Sequence, residues 1–203
     1  MLRAEKLAAF RGERLVFRDL SFSVAAGGAL VLAGPNGSGK STLLRVLAGL
    51  GRAEAGQLLW DGQDALADLT KHAERVAFVG HQDAVKPGLT VAENLGFYLR
   101  VMAGAPSPAM TQINALASLA LTDLADVPAR MLSAGQKRRL ALSRLALTAA
   151  PLWLLDEPTI GLDSAAIARF GTLLRDHRAR GGIVIAATHV PMPLDDVAEL
   201  RLA

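Results

Sequence analysis

The chain contains no cysteine, which excludes a disulfide framework, a cysteine-ligated zinc site and thiol catalysis. That absence suits a reducing compartment without establishing one. Long apolar runs are missing as well. Residues 20–39 carry no charge over 20 positions, yet they include Ser, Asn, Pro and five glycines. Residues 101–122 are uncharged over 22 positions, but Gly104, Pro106, Ser107, Pro108, Gln112 and Asn114 interrupt them. Neither is the continuous stretch of ~20 apolar residues that spans a bilayer, so any membrane contact is expected to be peripheral. The first six residues interleave acid and base with no apolar core, so no signal peptide is expected. Charge of one sign is not in large excess: Lys+Arg is 22 against Asp+Glu 19, a net +3 spread along the chain. Such a balance speaks weakly for nucleic acid, which is not expected as a partner, and suits an anionic membrane surface equally well.

What remains is an ordinary globular composition: 203 residues, 51% hydrophobic and 20% charged. That length fits one large domain, or a core with one inserted subdomain, and buries roughly 70% of the unfolded surface. The first sixty residues read as β structure. Leu20, Phe22 and Val24 alternate with Ser21 and Ser23 as in a half-buried strand, and residues 29–33 are all apolar, as in a strand covered on both faces. Residues 41–50 shift to helical spacing, 57–60 form a strand entering an Asp-Gly turn, and 76–79 form another strand. From about 83 to 150 strands disappear. Thr90 and Glu93 form a capping box that opens one helix, Pro106 and Pro108 break the chain before a second over 111–121, and a third runs over 135–150 until Pro151 stops it. Buried strands return at 152–155 and 183–187, with a helix over 164–178 between them. The expected fold class is α/β with an all-helical insert. No internal repeat is visible.

The strongest chemical signal is Gly34-Pro35-Asn36-Gly37-Ser38-Gly39-Lys40-Ser41-Thr42, which matches the phosphate-loop pattern with a strand before it and a helix after it. Its glycines let backbone N–H groups turn toward a triphosphate, and the helix N-terminus adds partial positive charge. Lys40 would reach the β- and γ-phosphates, and the Ser41 hydroxyl would ligate Mg²⁺. The bland alternative is a glycine-rich turn with a helix cap, but average residue usage puts a chance match at roughly 1% for a chain of this length. Residues 152–157, Leu-Trp-Leu-Leu-Asp156-Glu157, supply the acidic half. Asp156 at the end of a buried strand would hold Mg²⁺ partly through water, and Glu157 would polarise the attacking water as general base. A strand that merely ends in acids at solvent is the competing reading, and it loses weight beside the phosphate loop.

A third element, Leu132-Ser133-Ala134-Gly135-Gln136, opens a helix twenty residues before Asp156. Ser133 and Gln136 read as a capping box, but a capped N-terminus with small residues is also an anion site. Phosphate loop, L-S-A-G-Q, L-L-D-E-P, Gly161-Leu162-Asp163, Gln82 and His189 together resemble the nucleotide-binding domain of an ABC ATPase over essentially the whole chain. The resemblance implies a single ABC domain over 1–203. An α/β core with an antiparallel β subdomain would occupy 1–82 and 151–203, and a helical subdomain about 83–150. It implies a head-to-tail homodimer in which Ser133 of one subunit faces ATP held by the other. It assigns Gln82 to sensing Mg²⁺ and the membrane partner, Asp163 to signalling across the dimer and His189 to the γ-phosphate. Phe10 is the candidate for stacking on adenine. Ala134 departs from the usual glycine of the signature, and activity is expected to survive because alanine lacks only backbone permissiveness.

One phosphate loop counts against tandem types, the lack of a heptad array against types with inserted coiled coils, and the end of the chain soon after His189 against a regulatory domain. Gly80-His-Gln-Asp83, Lys86-Pro-Gly-Leu-Thr90, Glu93-Asn-Leu95, the Lys-Arg-Arg run after Gln136, Leu152-Trp153 and residues 181–185 are similar to the ATP-binding subunits of cytochrome c maturation haem exporters. That resemblance implies integral-membrane partner subunits, an indirect link to a periplasmic haem chaperone, and a place on the cytoplasmic face of the bacterial inner membrane. The loop carrying Lys86, Pro87 and Leu89 is the candidate docking knob for those subunits. His72, His81 and His177 are expected to be surface or partner-facing residues. Two rivals remain: a transport ATPase for a lipid, lipoprotein or small solute, and a non-transport ABC module in metallocluster assembly or DNA repair.

Overall fold

Alternation of buried and exposed side chains builds the first layer. β1 (Leu2–Arg11) buries Leu2 and Ala4, then Leu7 and Ala9. The parity changes at Lys6, whose φ of 50° places a bulge between Ala4 and Leu7 and returns the apolar residues to the same face. β1 pairs antiparallel with β2 (Arg14–Val24) on one side and with β4 (Ala55–Trp60) on the other, and β5 (Gln63–Asp64) completes a four-stranded antiparallel sheet. This description comes from a computed structural model that covers residues 1–101 and 111–202. Pro106 and Pro108, expected to break the chain, lie outside the described residues.

The second layer is a five-stranded parallel sheet in the order β6 (Val76–Val79), β7 (Leu152–Asp156), β8 (Ile183–Ala187), β3 (Ala29–Ala33), β9 (Val197–Arg201). Every residue of β7 and β8 is buried, as expected of strands covered on both faces. The pleat divides them. Leu152 and Leu154 join one apolar cluster with Leu43, Leu44 and Leu47, whereas Trp153 and Leu155 join another with Leu95, Leu142 and Phe170.

α1 (Lys40–Leu47) supplies the first three of those leucines. Eight residues are too few for a stable isolated helix. Three fully buried leucines, each contributing about 2 kcal/mol, hold it against the sheet. α2 (Leu69–Arg75) follows, capped by Asp68, whose carboxylate accepts from the Lys71 N–H at 3.0 Å. Between residues 83 and 150 the described elements are helical: α3 (Val91–Val101), α4 (Gln112–Ser118), α5 (Ala134–Ser143) and three 3-10 turns, with one isolated bridge joining Thr90 to Pro128. α6 (Ser164–Ala179) connects β7 to β8.

Two expectations need correction. The helix expected over 135–150 ends at Ser143 and tightens into a 3-10 turn over Arg144–Leu147. The Ser143 hydroxyl donates to the Leu140 carbonyl at 2.9 Å and Arg144 Nε to the Ala141 carbonyl at 2.8 Å. Side chains thus engage carbonyls near the helix end, and the chain leaves the helix before reaching Pro151. The second concerns histidine. His72 and His177 are buried, and of the three only His81 is exposed. His72 Nε2–H donates to the Leu47 carbonyl at 2.8 Å, satisfying the last turn of α1 from α2. His177 lies flat on Trp153, ring centroids 3.7 Å apart and planes within 10°.

Candidate functional site

The phosphate-loop residues turn between β3 and α1. Gly39 sits at the helix N-terminus with φ 100°, and a Cβ there would come within 2.2 Å of Val16 Cγ1 from β2. Glycine is therefore required both by conformation and by close approach. Position 39 offers no side-chain cap, and no acid stands in the first turn of α1, so the helix end carries its partial positive charge unanswered. Lys40 is buried, and its Nζ donates to the carbonyls of Gly34 at 2.7 Å and Pro35 at 3.0 Å. Among the described ion pairs none involves Lys40. The Ser38 hydroxyl is buried and without a hydrogen-bond partner in the chain. A buried ammonium without a carboxylate, next to an uncapped helix end, is an arrangement that an anionic ligand completes.

Ser41, Thr42, Asn36, Gly37, Gly39 and Lys40 line a cleft of about 360 Å³, and Asp156 and Glu157 line it from the end of β7. His189, in the loop after β8, closes the rim. Its Nε2 lies 2.9 Å from Asn36 Oδ1 and 3.4 Å from Glu157 Oε1. The Glu157 side chain is only 12% exposed, its backbone N–H donates to the Ala187 carbonyl at 2.8 Å, and its φ of 48° is unusual for an L residue. The cleft thus gathers two cations, two hydroxyls, two carboxylates and two imidazoles around the carboxyl ends of β3, β7 and β8, which meet on one edge of the parallel sheet. That edge is where open α/β sheets bind ligands.

Other residues singled out in the sequence fall elsewhere. Gln82 is exposed, and its neighbour His81 lines the cleft in its place. Phe10 is 47% exposed, and the cleft wall at that end is made by Arg11 and Val16. Ser133 and Gln136 form the full capping box: the Ser133 hydroxyl accepts from the Gln136 N–H at 3.2 Å, and Gln136 Oε1 accepts from the Ser133 N–H at 2.8 Å. Leu132 is buried beneath the helix start, whereas Ser133 and Ala134 are exposed, and none of 132–136 lines the cleft of its own chain. Ala134 has an ordinary helical backbone. Gly135 is the crowded position, since a Cβ there would approach the Gly161 carbonyl to 2.7 Å. Asp163 caps α6, accepting from the Ala166 N–H at 2.7 Å. In the 86–89 loop Lys86 and Pro87 are exposed, but Leu89 is half-buried and the buried Asn94 hydrogen-bonds to Lys86 and Leu89.

Sequence reasoning missed Arg138. Its guanidinium is buried and donates from Nε to the Pro158 carbonyl, from one terminal nitrogen to Gly80 and Asp83, and from the other to the carbonyls of Asp156 and Glu157. The signal was available: three consecutive bases, Lys137, Arg138 and Arg139, cannot all face solvent from a helix packed against the core.

The profile of the ABC transporter family matches residues 17–160. The chain is 50% identical over 200 residues to the cytochrome c biogenesis ATP-binding export protein CcmA of Paramagnetospirillum magneticum, covering 98% of this chain and 92% of that protein. It is 51% identical over 198 residues to the protein of the same name in Rhodospirillum rubrum, covering 98% and 84%. Among solved structures, a dimeric ATP-binding cassette in a post-hydrolysis state, bound to ADP and Pi, matches with a TM-score of 0.80 at 27% identity, covering 94% of this chain and 88% of that one.

Proposed function

The chain belongs to the ABC transporter family and is an ABC-type ATPase, and we propose that it is the ATP-hydrolysing subunit of the export complex that serves cytochrome c biogenesis. The observation that carries the catalytic reading is the Glu157–His189–Asn36 chain of contacts across the mouth of a cleft floored by Lys40. In this reading the loop backbone and Lys40 hold the β- and γ-phosphates. His189 contacts the γ-phosphate, and Glu157 takes a proton from the attacking water. The water oxygen forms the new bond to the γ-phosphorus, the bond to the β–γ bridging oxygen breaks, and ADP departs as the leaving group.

Mg²⁺ fits the residues present. Ser41 and Asp156 offer hard oxygen donors in one cleft. Among the described residues no group of three or more His, Asp or Glu could hold a metal alone. Ser41 and, partly through water, Asp156 would hold the ion, which would supply charge neutralisation on the phosphate oxygens; Gln82, assigned to the ion by the family resemblance, lies outside the cleft lining of the isolated chain.

ABC cassettes form dimers. The finer reading is a head-to-tail homodimer in which Leu132, Ser133, Ala134, Gly135 and Gln136 of one subunit complete the ATP site of the other. It is supported by the exposure of Ser133 and by the cleft lining, which includes none of residues 132–136 of its own chain. No described helix is long and apolar enough to cross a membrane. In this reading export depends on integral-membrane partner subunits, with this chain peripheral on the cytoplasmic face of the inner membrane and a periplasmic haem chaperone as the indirect recipient of the work. Asp163, the cap of α6, would signal between subunits.

Two measurements test the reading. Glu157→Gln is expected to keep ATP binding and lose turnover by ~10²–10⁴-fold, because the proton acceptor is removed and the fold is not. Wild-type turnover would remove Glu157 from its role. A strain lacking the gene is expected to lose covalently haem-bound c-type cytochromes on a haem-stained gel, whereas normal cytochromes would leave a transporter for another substrate.

A further inference from the structure

Arg138 is 5% exposed, deep in the first turns of α5, and such burial of a charge needs full compensation. It has that compensation. A guanidinium carries five N–H donors, and all five are used, on acceptors 2.7–3.2 Å away. Those acceptors have a pattern. Three are the successive carbonyls of Asp156, Glu157 and Pro158, which carry the backbone through the left-handed turn at Glu157. The other two, the Gly80 carbonyl and the Asp83 carboxylate, bracket His81 and Gln82. The same loop is tied to the helical insert, since the Tyr98 hydroxyl donates to the Ala84 carbonyl and the Arg144 guanidinium lies 4.4 Å over the Tyr98 ring.

A packed core alone would not need this residue, because an apolar side chain of similar volume fills such a space at least as well. The guanidinium's distinctive contribution is directional: it fixes three carbonyls of one turn and two groups of another relative to α5. A left-handed non-glycine backbone persists only where its surroundings over-determine it, and here the Arg138 fork and the Ala187 carbonyl do so.

We propose that Arg138 is a positioning residue for hydrolysis: it sets the Glu157 carboxylate over the phosphate loop and ties that setting to the 80–83 loop and to the α5 terminus. The inference rests on the reading of Glu157 as general base. Movement of α5 or of the 80–83 loop shifts the same guanidinium, so closure at either place is felt at the turn that holds the base.

The test is steady-state ATP hydrolysis by the full chain in its membrane complex, with active sites counted by ATP binding so that misfolded molecules drop out. Arg138→Gln is expected to lower kcat by ~30-fold with KM within threefold, since displacement of a catalytic group by about 1 Å costs up to ~10²-fold. Arg138→Lys, which keeps the charge but not the fork, is expected to recover about a third of the lost activity, and it carries the test alone if Arg138→Gln does not fold. The combination of Arg138→Gln with Glu157→Gln is expected to be no more than ~2-fold slower than Glu157→Gln, because a residue acting through another has nothing left to act on. A kcat per binding site within threefold of wild type in both Arg138 variants, or effects that multiply in the double variant, would overturn the proposal. Wild-type turnover in Glu157→Gln alone would instead remove the general-base reading, and this proposal with it.

Discussion

α1, which begins at Lys40, and α5, which begins at Ala134 after its Ser133 cap, both open beside glycine, and both offer an anion the positive end of a dipole. They differ in everything that surrounds that end. At Lys40 the terminus is uncapped, the cation is buried without an ion-pair partner, and two carboxylates and two imidazoles share the cleft. At Ser133 the terminus is closed on itself by a reciprocal capping box and faces solvent. The first site is incomplete without an anion. The second is complete already and can contribute only a hydroxyl and a few N–H groups to a ligand held elsewhere. On the head-to-tail reading proposed above, such a chain would supply two complementary half-sites, and two copies would pair them.

That contrast can be broken most severely at Lys40. Lys40→Ala is expected to weaken ATP binding by at least ~10²-fold, because a charge-assisted contact to the phosphates is lost from a desolvated position. A fluorescent nucleotide titration on the purified chain reads it directly, and unchanged affinity would mean that the buried ammonium serves the loop carbonyls alone. Ser133→Arg probes the other end. Affinity of the monomer for ATP is expected to stay within about threefold, while the ATP-trapped dimer of the Glu157→Gln background disappears from size-exclusion chromatography, because bulk now fills a small-residue terminus. Equal losses of monomer affinity in Lys40→Ala and Ser133→Arg would place both termini on one nucleotide and end the half-site picture.

The smallest effect separates the two apolar cores rather than the two termini. His177, stacked on Trp153 on the side of the sheet that carries the helical insert, has its pKa lowered to about 4, chiefly by desolvation and also by the nearby Arg180 charge. Below pH 6.5 the unfolded chain binds a proton that the native chain refuses, so stability falls with pH across the window from 6.5 to about 4. This group alone should make the protein about 2 kcal/mol less stable at pH 5 than at pH 7. Urea midpoints at the two pH values should move apart in the wild type and come closer by that amount in His177→Phe. An undiminished difference in the variant would mean that His177 does not carry the acid sensitivity.

Much of this was legible in the sequence where local rules govern. The all-apolar strands at 29–33, 152–155 and 183–187, the Thr90–Glu93 and Ser133–Gln136 capping boxes and the strand–loop–helix frame of the phosphate loop all depend on neighbours within a few residues. What escaped depends on partners far along the chain. α2 carries no apolar stripe and exists because Asp68 caps it and His72 reaches the Leu47 carbonyl, 25 residues away. β9 is an edge strand with little burial and takes its register from β3. Arg138 looks like one of three surface bases until Gly80 and Asp83 are folded against it from more than fifty residues upstream.

The pleat of β7 has an evolutionary corollary. Because Leu152 and Leu154 face the α1 side while Trp153 and Leu155 face the helical side, the two cores can drift on separate accounts. A change of volume at an even-numbered position is answered among residues such as Leu43, Leu44 and Leu58, and one at an odd-numbered position among residues such as Leu142, Phe170 and Leu174. Strand parity, more than nearness in sequence, then decides which substitutions travel together as lineages diverge.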